Sequence, residues 1–254
     1  MLHTALLHTS PMLLVAVAAI LVATGAVKGV LGIGLPLTAV PLLNQVLDLP
    51  TAVALLTVPM FASNAGQALE GGRTLTATRS LLPVIVPLIV GVAIGTELLV
   101  TADRRVVYGF VGVCLVTLAV ALAALPGYRL SPGAQRWMGP CAGLVSGILG
   151  GVAALYGPPL VFYLVGVGLD RHAFVKQISI LFVVAALALI IAFGGSGHMS
   201  LADLAISAGA MAPTYLGMRF GQAVRNRVQT RTFRVLVLAF VLLSGLDLLR
   251  RALG

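Results

Sequence analysis

Long apolar runs constrain this chain more than any other feature of its sequence. Six of them are separated by short polar segments: residues 51–69, 81–100, 106–125, 172–193, 201–220 and 233–249. A hydrocarbon core about 30 Å thick needs about 20 helical residues to cross it. Each run therefore predicts a transmembrane helix.

Charge is too scarce for a soluble domain. Only 9% of the residues are charged and 59% are apolar, whereas a soluble domain carries roughly 25% charged residues. The sequence therefore predicts an all-α polytopic protein of the cell membrane (plasma or inner), surrounded by the lipid bilayer. The formal net charge of +9 lies mostly in loops between apolar runs, as in other membrane proteins, so we expect no nucleic-acid partner.

Two further apolar stretches are too long for one straight crossing. Residues 11–47 and 137–169 would reach about 55 and about 50 Å as single helices, at 1.5 Å per residue. Glycine and proline, which break helices, interrupt both stretches near the middle. They are Gly25, Gly29, Gly32, Gly34 and Pro36 in the first, and Gly147, Gly150, Gly151, Gly157, Pro158 and Pro159 in the second. Each stretch is therefore predicted to be a broken element, either discontinuous or re-entrant.

The two halves of the chain resemble each other in sequence. Gly29 aligns with Gly147, Thr51 with His172, and the pair Gly91 and Gly95 with Gly217 and Gly221. Two tandem repeats are predicted, each a broken element followed by three spans. The first repeat is 11–128 (broken element 11–47, spans 51–69, 81–100, 106–125) and the second is 136–251 (broken element 137–169, spans 172–193, 201–220, 233–249). Internal repeats of this kind are common in secondary transporters.

The loop charges favour one orientation of the repeats. If each broken element crosses the membrane once, the better arrangement puts nine loop Lys and Arg residues inside and six outside. If each broken element enters and returns, the split becomes eleven against four. The second arrangement fits the positive-inside bias better and makes the two repeats inverted, although Arg250 and Arg251 then lie on the less basic side.

The broken elements also predict an anion site near the middle of the membrane. Irregular backbone at that depth is tolerated only where protein or water covers it, and a helix that restarts there points free N–H groups and its positive dipole end at a ligand. The glycines predicted to line the site are Gly29, Gly32, Gly34, Gly150, Gly151 and Gly157. The alternative is that these glycines only allow helices to pack closely.

Lys28 is the sharpest single candidate for this site. It lies inside the first broken element, far along the chain from other charges. An ammonium within the membrane costs roughly 2.5–3.5 kcal/mol on insertion scales, so it usually faces a cavity or a partner. The alternative is that Lys28 snorkels to the interface.

Other polar side chains on the apolar runs are softer candidates. Asn64 and Gln67 share one helix face and could either bind an oxyanion or join helices by hydrogen bonds. Lys176 and Gln177 could belong to the site or anchor their helix at the interface. Ser146, which aligns with Lys28, and Tyr156 flank the second break, and they complete the predicted substrate-binding set.

Enzyme chemistry is not predicted for this chain. The sequence has no GxxxxGK[ST], HExxH or GxSxG motif, its histidines lie near predicted span ends, and its acidic residues are scattered singly. We therefore expect no catalytic residues, no cofactor and no metal. The two cysteines, Cys114 and Cys141, lie in apolar runs and are expected to be buried thiols without a disulfide.

Two segments carry a resemblance to a known family. The run KGVLGIGLPLTAVPLL at 28–43, and the second copy GLVSGILGG at 143–151 followed by GPPL at 157–160, resemble the signature of the sulfite exporter (TauE/SafE-like) family of membrane transporters. The resemblance implies transport of sulfite, organosulfonates or related organic acids.

The resulting functional hypothesis is a secondary transporter of small anions that works by alternating access. The alternatives are a passive anion channel and a non-transporting membrane subunit. The sequence is compatible with a homo-oligomer, and it leaves open the identity of the anion, the direction of transport and the coupling ion.

Overall fold

The protein is described here from a computed structural model that covers residues 11–31, 35–69, 74–124, 129–195, 197, 199–224 and 230–253. Two predicted site residues, Gly32 and Gly34, lie outside these ranges. The described residues form helices joined by short turns, with no strand among them. The all-α prediction is therefore confirmed for this part of the chain.

The helices follow one another along the chain with these bounds: α1 Pro11–Leu31, α2 Leu35–Leu43, α3 Leu49–Leu69, α4 Thr74–Ser80, α5 Leu82–Thr101, α6 Arg104–Ala124, α7 Pro132–Ala153, α8 Gly157–Val167, α9 Arg171–Gly195, α10 Leu201–Gly209, α11 Met211–Val224 and α12 Thr230–Leu253.

Four stretches of the described chain are long and apolar enough to cross a membrane: Pro11–Val30, Leu49–Gly66, Leu82–Thr101 and His172–Gly195. Shorter apolar helical stretches cover Arg105–Thr117 and Gly157–Val167. Lengths and composition of this kind support the prediction of a membrane protein.

The segment predicted as one span over 201–220 differs from that prediction. It contains two helices, because α10 ends at Gly209 and α11 begins at Met211. Pro213 gives the physical reason. A proline has no N–H and its ring clashes with the carbonyl four residues earlier, which here belongs to Gly209. The short helix α4 was also not predicted.

Glycines let α5 and α7 pack backbone against backbone. A Cβ at Gly147 would lie 2.2 Å from the carbonyl oxygen of Leu88, and one at Gly95 would lie 2.2 Å from that of Ile148. These separations are far below van der Waals contact, so only glycine fits at either position. Small residues commonly serve this purpose where helices associate in membranes.

The same arrangement recurs between α1 and α11. A Cβ at Gly25 would lie 2.3 Å from the carbonyl oxygen of Thr214, and one at Gly217 would lie 2.0 Å from that of Val22. The other extensive helix pairs of the described chain are α6 with α12 and α3 with α9. Each of the four pairs thus joins one helix from the first half of the chain to one from the second half.

The helices α7 and α8 form an antiparallel hairpin. The chain reverses at Ala154, which has a left-handed φ of 56°, and the Tyr156 ring then packs over Gly150. At the other end of the hairpin, the N–H of Leu130 donates to the carbonyl of Gly166 at 2.7 Å. The end of α8 therefore lies beside the start of α7.

The helices α2 and α8 are too short to cross a bilayer. They contain nine and eleven residues, which makes them about 14 and about 17 Å long at 1.5 Å per residue. Both begin with buried residues, Leu35 in α2 and Gly157 in α8. Each predicted broken element thus contains one long helix followed by one short helix whose start is enclosed by protein.

Candidate functional site

Lys28 lies in the last turn of α1, and only 2% of its surface is exposed. Its side chain reaches across to α3, where Nζ donates to Ser63 Oγ at 2.8 Å and to Asn64 Oδ1 at 3.0 Å. A snorkelling lysine keeps its charged head in water. This ammonium is instead enclosed by protein.

The amide of Asn64 is bonded at both ends. Its oxygen accepts from Lys28, and its Nδ2 donates to the carbonyl of Met60 at 2.7 Å. Only 3% of Asn64 is exposed, so these bonds replace those that water would make. The bonds fix the amide with its oxygen toward the ammonium.

Both partners of the Lys28 ammonium are neutral. Within the described residues, no carboxylate forms an ion pair with Lys28. An ammonium has three N–H donors, and the described partners occupy two of them. A buried charge is costly unless an opposite charge balances it, and among the described residues neither such a charge nor an acceptor for the third N–H of Lys28 is found.

Pro59 interrupts the backbone hydrogen bonds of α3 just before Ser63 and Asn64. Pro59 lacks an N–H, which leaves the carbonyl of Leu55 without its usual helical donor. Ser207 of α10 fills the gap: its Oγ donates to the Leu55 carbonyl at 2.9 Å and accepts from the N–H of Val58 at 3.1 Å. The hydroxyl of Ser207 therefore replaces the missing donor of α3 one turn before the Lys28 partners.

The second half of the chain carries different groups at the aligned positions. Lys28 aligns with Ser146, and an offset of 121 residues, taken from Thr51 and His172, places Ser63 and Asn64 on Val184 and Ala185. Ser146 is fully buried, and its hydroxyl has no hydrogen-bond partner among the described residues. This half offers neither a cation nor an amide at these positions.

Tyr156 lies at the second break, between α7 and α8, and faces the protein interior. It is fully buried, and its ring occupies the space that a side chain at Gly150 would need. The ring also contacts Phe182 of α9, with centroids 6.4 Å apart. Within the described chain, the Tyr156 hydroxyl has no hydrogen-bond partner.

The start of α8 offers fewer donors than an ordinary helix N-terminus. A helix begins with about four free N–H groups, but Pro158 and Pro159 carry none. The N–H of Gly157 remains close to the break. The positive end of the helix dipole is present, yet the predicted cluster of backbone donors is small here.

Close packing accounts for two of the predicted site glycines. A Cβ at Gly29 would lie 2.3 Å from the carbonyl oxygen of Met218, and one at Gly151 would lie 2.4 Å from that of Val92. Both glycines therefore face a neighbouring helix. This agrees with the alternative that they allow helices to pack closely.

The remaining predicted residues lie on α3 and α9. Gln67 belongs to α3, but its side chain is outside the described part. Lys176 and Gln177 lie in the first turns of α9 and are half-buried.

Two contacts of the candidate site were not predicted from the sequence. Ser63 is adjacent to Asn64 and could have been found as a polar neighbour on the same helix. Ser207 acts across 152 positions of sequence on the Leu55 carbonyl. Only Pro59 signals from the sequence that this carbonyl needs a donor.

Comparisons with known proteins agree with this all-helical, membrane-compatible architecture. A family model described as sulfite exporter TauE/SafE matches residues 17–248. Searches of curated proteins and of solved structures found no match. The matched region extends from within α1 to within α12 and covers most of the chain, so the chain belongs to the sulfite exporter TauE/SafE family of membrane transporters.

Proposed function

We propose that this protein is a secondary transporter of small anions and that Lys28 supplies the positive charge of its binding site. The substrate class is sulfite, an organosulfonate or a related organic acid, and the protein acts in the cell membrane. Its two halves move relative to each other, so that the site opens alternately to either side.

The strongest support for this proposal is the environment of Lys28. Lys28 is a buried cation on an apolar helix, and its described partners are the neutral oxygens of Ser63 and Asn64. Because an intramembrane charge costs roughly 2.5–3.5 kcal/mol, a purely structural lysine would gain from a nearby carboxylate. A small anion would provide the missing negative charge and accept the remaining N–H.

Reciprocal packing supports two repeats related by a pseudo-two-fold axis. The α1 helix packs on α11, while α7, its counterpart, packs on α5, the counterpart of α11. The other extensive pairs, α3 with α9 and α6 with α12, join counterparts to each other. Two-fold relations produce this kind of exchange, in which one surface meets its own equivalent.

The hairpin of α7 and α8 supports a returning second element. The Leu130–Gly166 hydrogen bond joins the segment just before α7 to the end of α8, whereas a crossing element would leave these residues on opposite sides. A return also gives the stronger charge asymmetry, with eleven loop cations against four. With both elements returning, the two repeats are inverted.

Anion-induced thermal stabilisation of the purified protein tests the binding site. The wild type, Lys28→Ala and Lys176→Ala are compared in sulfite, sulfate, thiosulfate, small sulfonates and carboxylates; Lys176 is the only other lysine of the chain. A ligand at 100 times its Kd adds about 2.7 kcal/mol to the folded state. We expect one anion class to stabilise the wild type and Lys176→Ala but not Lys28→Ala.

Flux in proteoliposomes then separates a transporter from the alternatives. Saturable uptake with counterflow of the stabilising anion supports alternating access. Flux that does not saturate indicates a passive channel. Absence of both flux and anion stabilisation indicates a non-transporting subunit and contradicts the proposal.

A further inference from the structure

Lys28 is the donor in both of the hydrogen bonds that the structure gives its side chain. The Nδ2 of Asn64 donates to the carbonyl of Met60, so Oδ1 is the atom that faces Lys28 Nζ. The hydroxyl of Ser63 donates to the same carbonyl at 3.3 Å, so its oxygen is left to accept from Nζ. Both neighbours therefore present acceptors to Lys28.

Two acceptors match the neutral form of a lysine side chain. An ammonium carries three N–H groups, whereas an amine that has lost one proton carries two N–H groups and a lone pair. Among the described residues, Nζ has two acceptors, Ser63 Oγ and Asn64 Oδ1. The empty site thus satisfies every N–H of the neutral amine, and the ammonium has one N–H more than these acceptors can bond.

The burial of Lys28 acts in the same direction. Only 2% of the residue is exposed, and removal from water disfavours the charged form of an amine. A buried charge without an opposite charge usually exchanges a proton and becomes neutral. Burial and the number of acceptors therefore both favour a neutral Lys28 in the empty site.

The described parts of the neighbouring helices bring no charge to Lys28. The helix α1, which has no other charged residue, packs on α11 and α2. The helix α2 has no titratable residue, and the two on α11, Tyr215 and Arg219, are exposed. The helix α3 has no charged residue from Leu49 to Leu69. The groups that face Nζ from these helices are therefore neutral.

The titratable residues of α9 and α10, which pack on α3, are not among the described partners of Nζ. On α10 the carboxylate of Asp203 accepts from the N–H and the hydroxyl of Ser200, which caps the same helix. On α9 they lie in the first two turns: Arg171, His172 and Lys176. In the described part of the site, Nζ is therefore the group that can gain or lose a proton.

We propose that Lys28 carries the coupling proton of this transporter, so that the anion and one proton bind together. This inference rests on the proposed function, because it assigns the coupling ion of the same site. When the empty site opens to one solution, the lone pair of Nζ takes a proton from that solution. The new charge and the third N–H then bind the anion.

Release reverses this step on the other side of the membrane. The anion leaves, an N–H bond of the ammonium breaks, and the proton passes to the same solution as the anion. The empty site then returns with a neutral Lys28 bonded to Ser63 and Asn64. With a monovalent anion the complete cycle moves no net charge, and a proton gradient drives the anion in the direction in which protons flow.

The pH dependence of anion binding tests this assignment on the purified protein. Thermal shift titrations with sulfite, sulfate, thiosulfate, small sulfonates and carboxylates are compared at about pH 8.5 and about pH 9.5. In this window the anions keep a constant charge, histidine is neutral and an ordinary lysine is charged. Because one proton binds with each anion, we expect the stabilising anion to bind about tenfold more weakly at the higher pH.

Titration calorimetry counts the protons directly. The same anion is titrated at about pH 8.5 in two buffers that differ in ionisation enthalpy. We expect about one proton to be taken up per anion bound, because the empty site is neutral. A lysine that is already charged in the empty site would take up none.

Two variants identify the residue that takes the proton. Arginine stays charged, so whatever affinity Lys28→Arg retains should change less than twofold across this window. Cysteine is another residue type that ionises here, and Cys141 is exposed, which corrects the expectation that both thiols are buried. Cys141→Ala should keep the tenfold dependence.

Proteoliposomes that contain a pH-sensitive dye test coupling during transport. An inward anion gradient should acidify the interior by about one proton per anion. Saturable uptake without acidification, together with anion binding that is independent of pH, would overturn the proton coupling and leave the transporter intact. A pH dependence that persists in Lys28→Arg would assign the proton to another residue. Absence of both anion binding and flux would contradict the proposed function itself.

Discussion

The two break regions of this protein, around Lys28 at the end of α1 and around Ser146 in α7, are packed alike but carry different polar groups. In both, glycines bring a long helix against a partner from the other half of the chain, α1 on α11 and α7 on α5. In the first region Lys28 is bonded to Ser63 and Asn64. In the second, Ser146 is at the aligned position and its hydroxyl has no partner in the described chain.

This contrast separates what the architecture requires from what binding requires. Close approach of two backbones depends only on the absence of side chains, so it can be repeated in both halves. Charge recognition needs one cation with suitable acceptors around it, and a second buried cation nearby would add desolvation cost and repulsion. The expected effects of substitution therefore differ between the shared packing and the one-sided site.

The largest effect of substitution is expected on the glycine packing that the two break regions share. Gly147→Ala and Gly29→Ala should each destabilise the folded protein by about 3 kcal/mol or more, because the new methyl group would meet a backbone carbonyl that cannot move aside alone. The new Cβ would lie 2.2 Å from the Leu88 carbonyl oxygen and 2.3 Å from that of Met218, respectively. Thermal unfolding followed by size-exclusion chromatography measures both.

Gly66→Ala is the control for these substitutions. Gly66 lies within α3, and a Cβ there would meet nothing within 4 Å, so alanine should stabilise the helix by roughly 0.5–1 kcal/mol. If Gly29→Ala is tolerated while Gly147→Ala is not, the two regions are not packed equivalently.

The next largest effect is expected on anion binding at Lys28, a cation that the second break region lacks at the aligned position. Asn64→Asp should weaken anion binding at least tenfold, or about 1.4 kcal/mol, because the new carboxylate would pair with Lys28 and occupy the place of the substrate charge. Asn64→Ala removes one hydrogen bond without adding charge and should weaken binding less. Thermal shift titration with the stabilising anion compares them; equal losses would mean that charge competition plays no part.

A smaller effect is expected at Pro59 of α3. The aligned position in α9 is Ile180, so this interruption of the helix hydrogen bonds has no equivalent there. Ser207→Ala should lower the free energy of unfolding by about 1–3 kcal/mol, because it leaves the Leu55 carbonyl without a donor. Ser80→Ala, whose exposed hydroxyl bonds only within its own helix, should change stability little. Similar values for both variants would contradict the role given to Ser207.

The smallest effect is expected at Ser146. Ser146→Ala removes a buried hydroxyl without a described partner, so stability should stay the same or rise slightly. Anion affinity should change less than about threefold, under 1 kcal/mol. A tenfold loss of anion affinity would instead place the second break region in the binding site. Both break regions would then contribute to anion binding.

Much of the fold could be predicted from local sequence because helix breaks have local causes. The apolar runs and the interruptions around Gly157 and Pro158 depend on residue type alone. The prediction over 201–220 missed a break because a single proline, Pro213, inside an apolar run is compatible with either a kinked helix or two helices. Packing on neighbouring helices decides between them.

The candidate site was only partly predictable, for a different reason. Lys28 and Asn64 stand out as polar residues on apolar helices, but nothing local indicates that they touch, because 36 positions separate them. For the glycines, the sequence left open whether they line a ligand site or allow helices to pack closely. For Gly29 and Gly151, the neighbouring backbones of α11 and α5 account for the absence of a side chain.

By itself, the sequence determined that this chain is an all-helical membrane protein of the TauE/SafE family with two interrupted elements, since hydropathy, glycine and proline act over a few residues. Tertiary structure alone decided which helix each glycine meets, that α8 lies back along α7, and that Lys28 is enclosed with Ser63 and Asn64. These are contacts between residues far apart in the chain, and they are fixed by the packing of whole helices against one another.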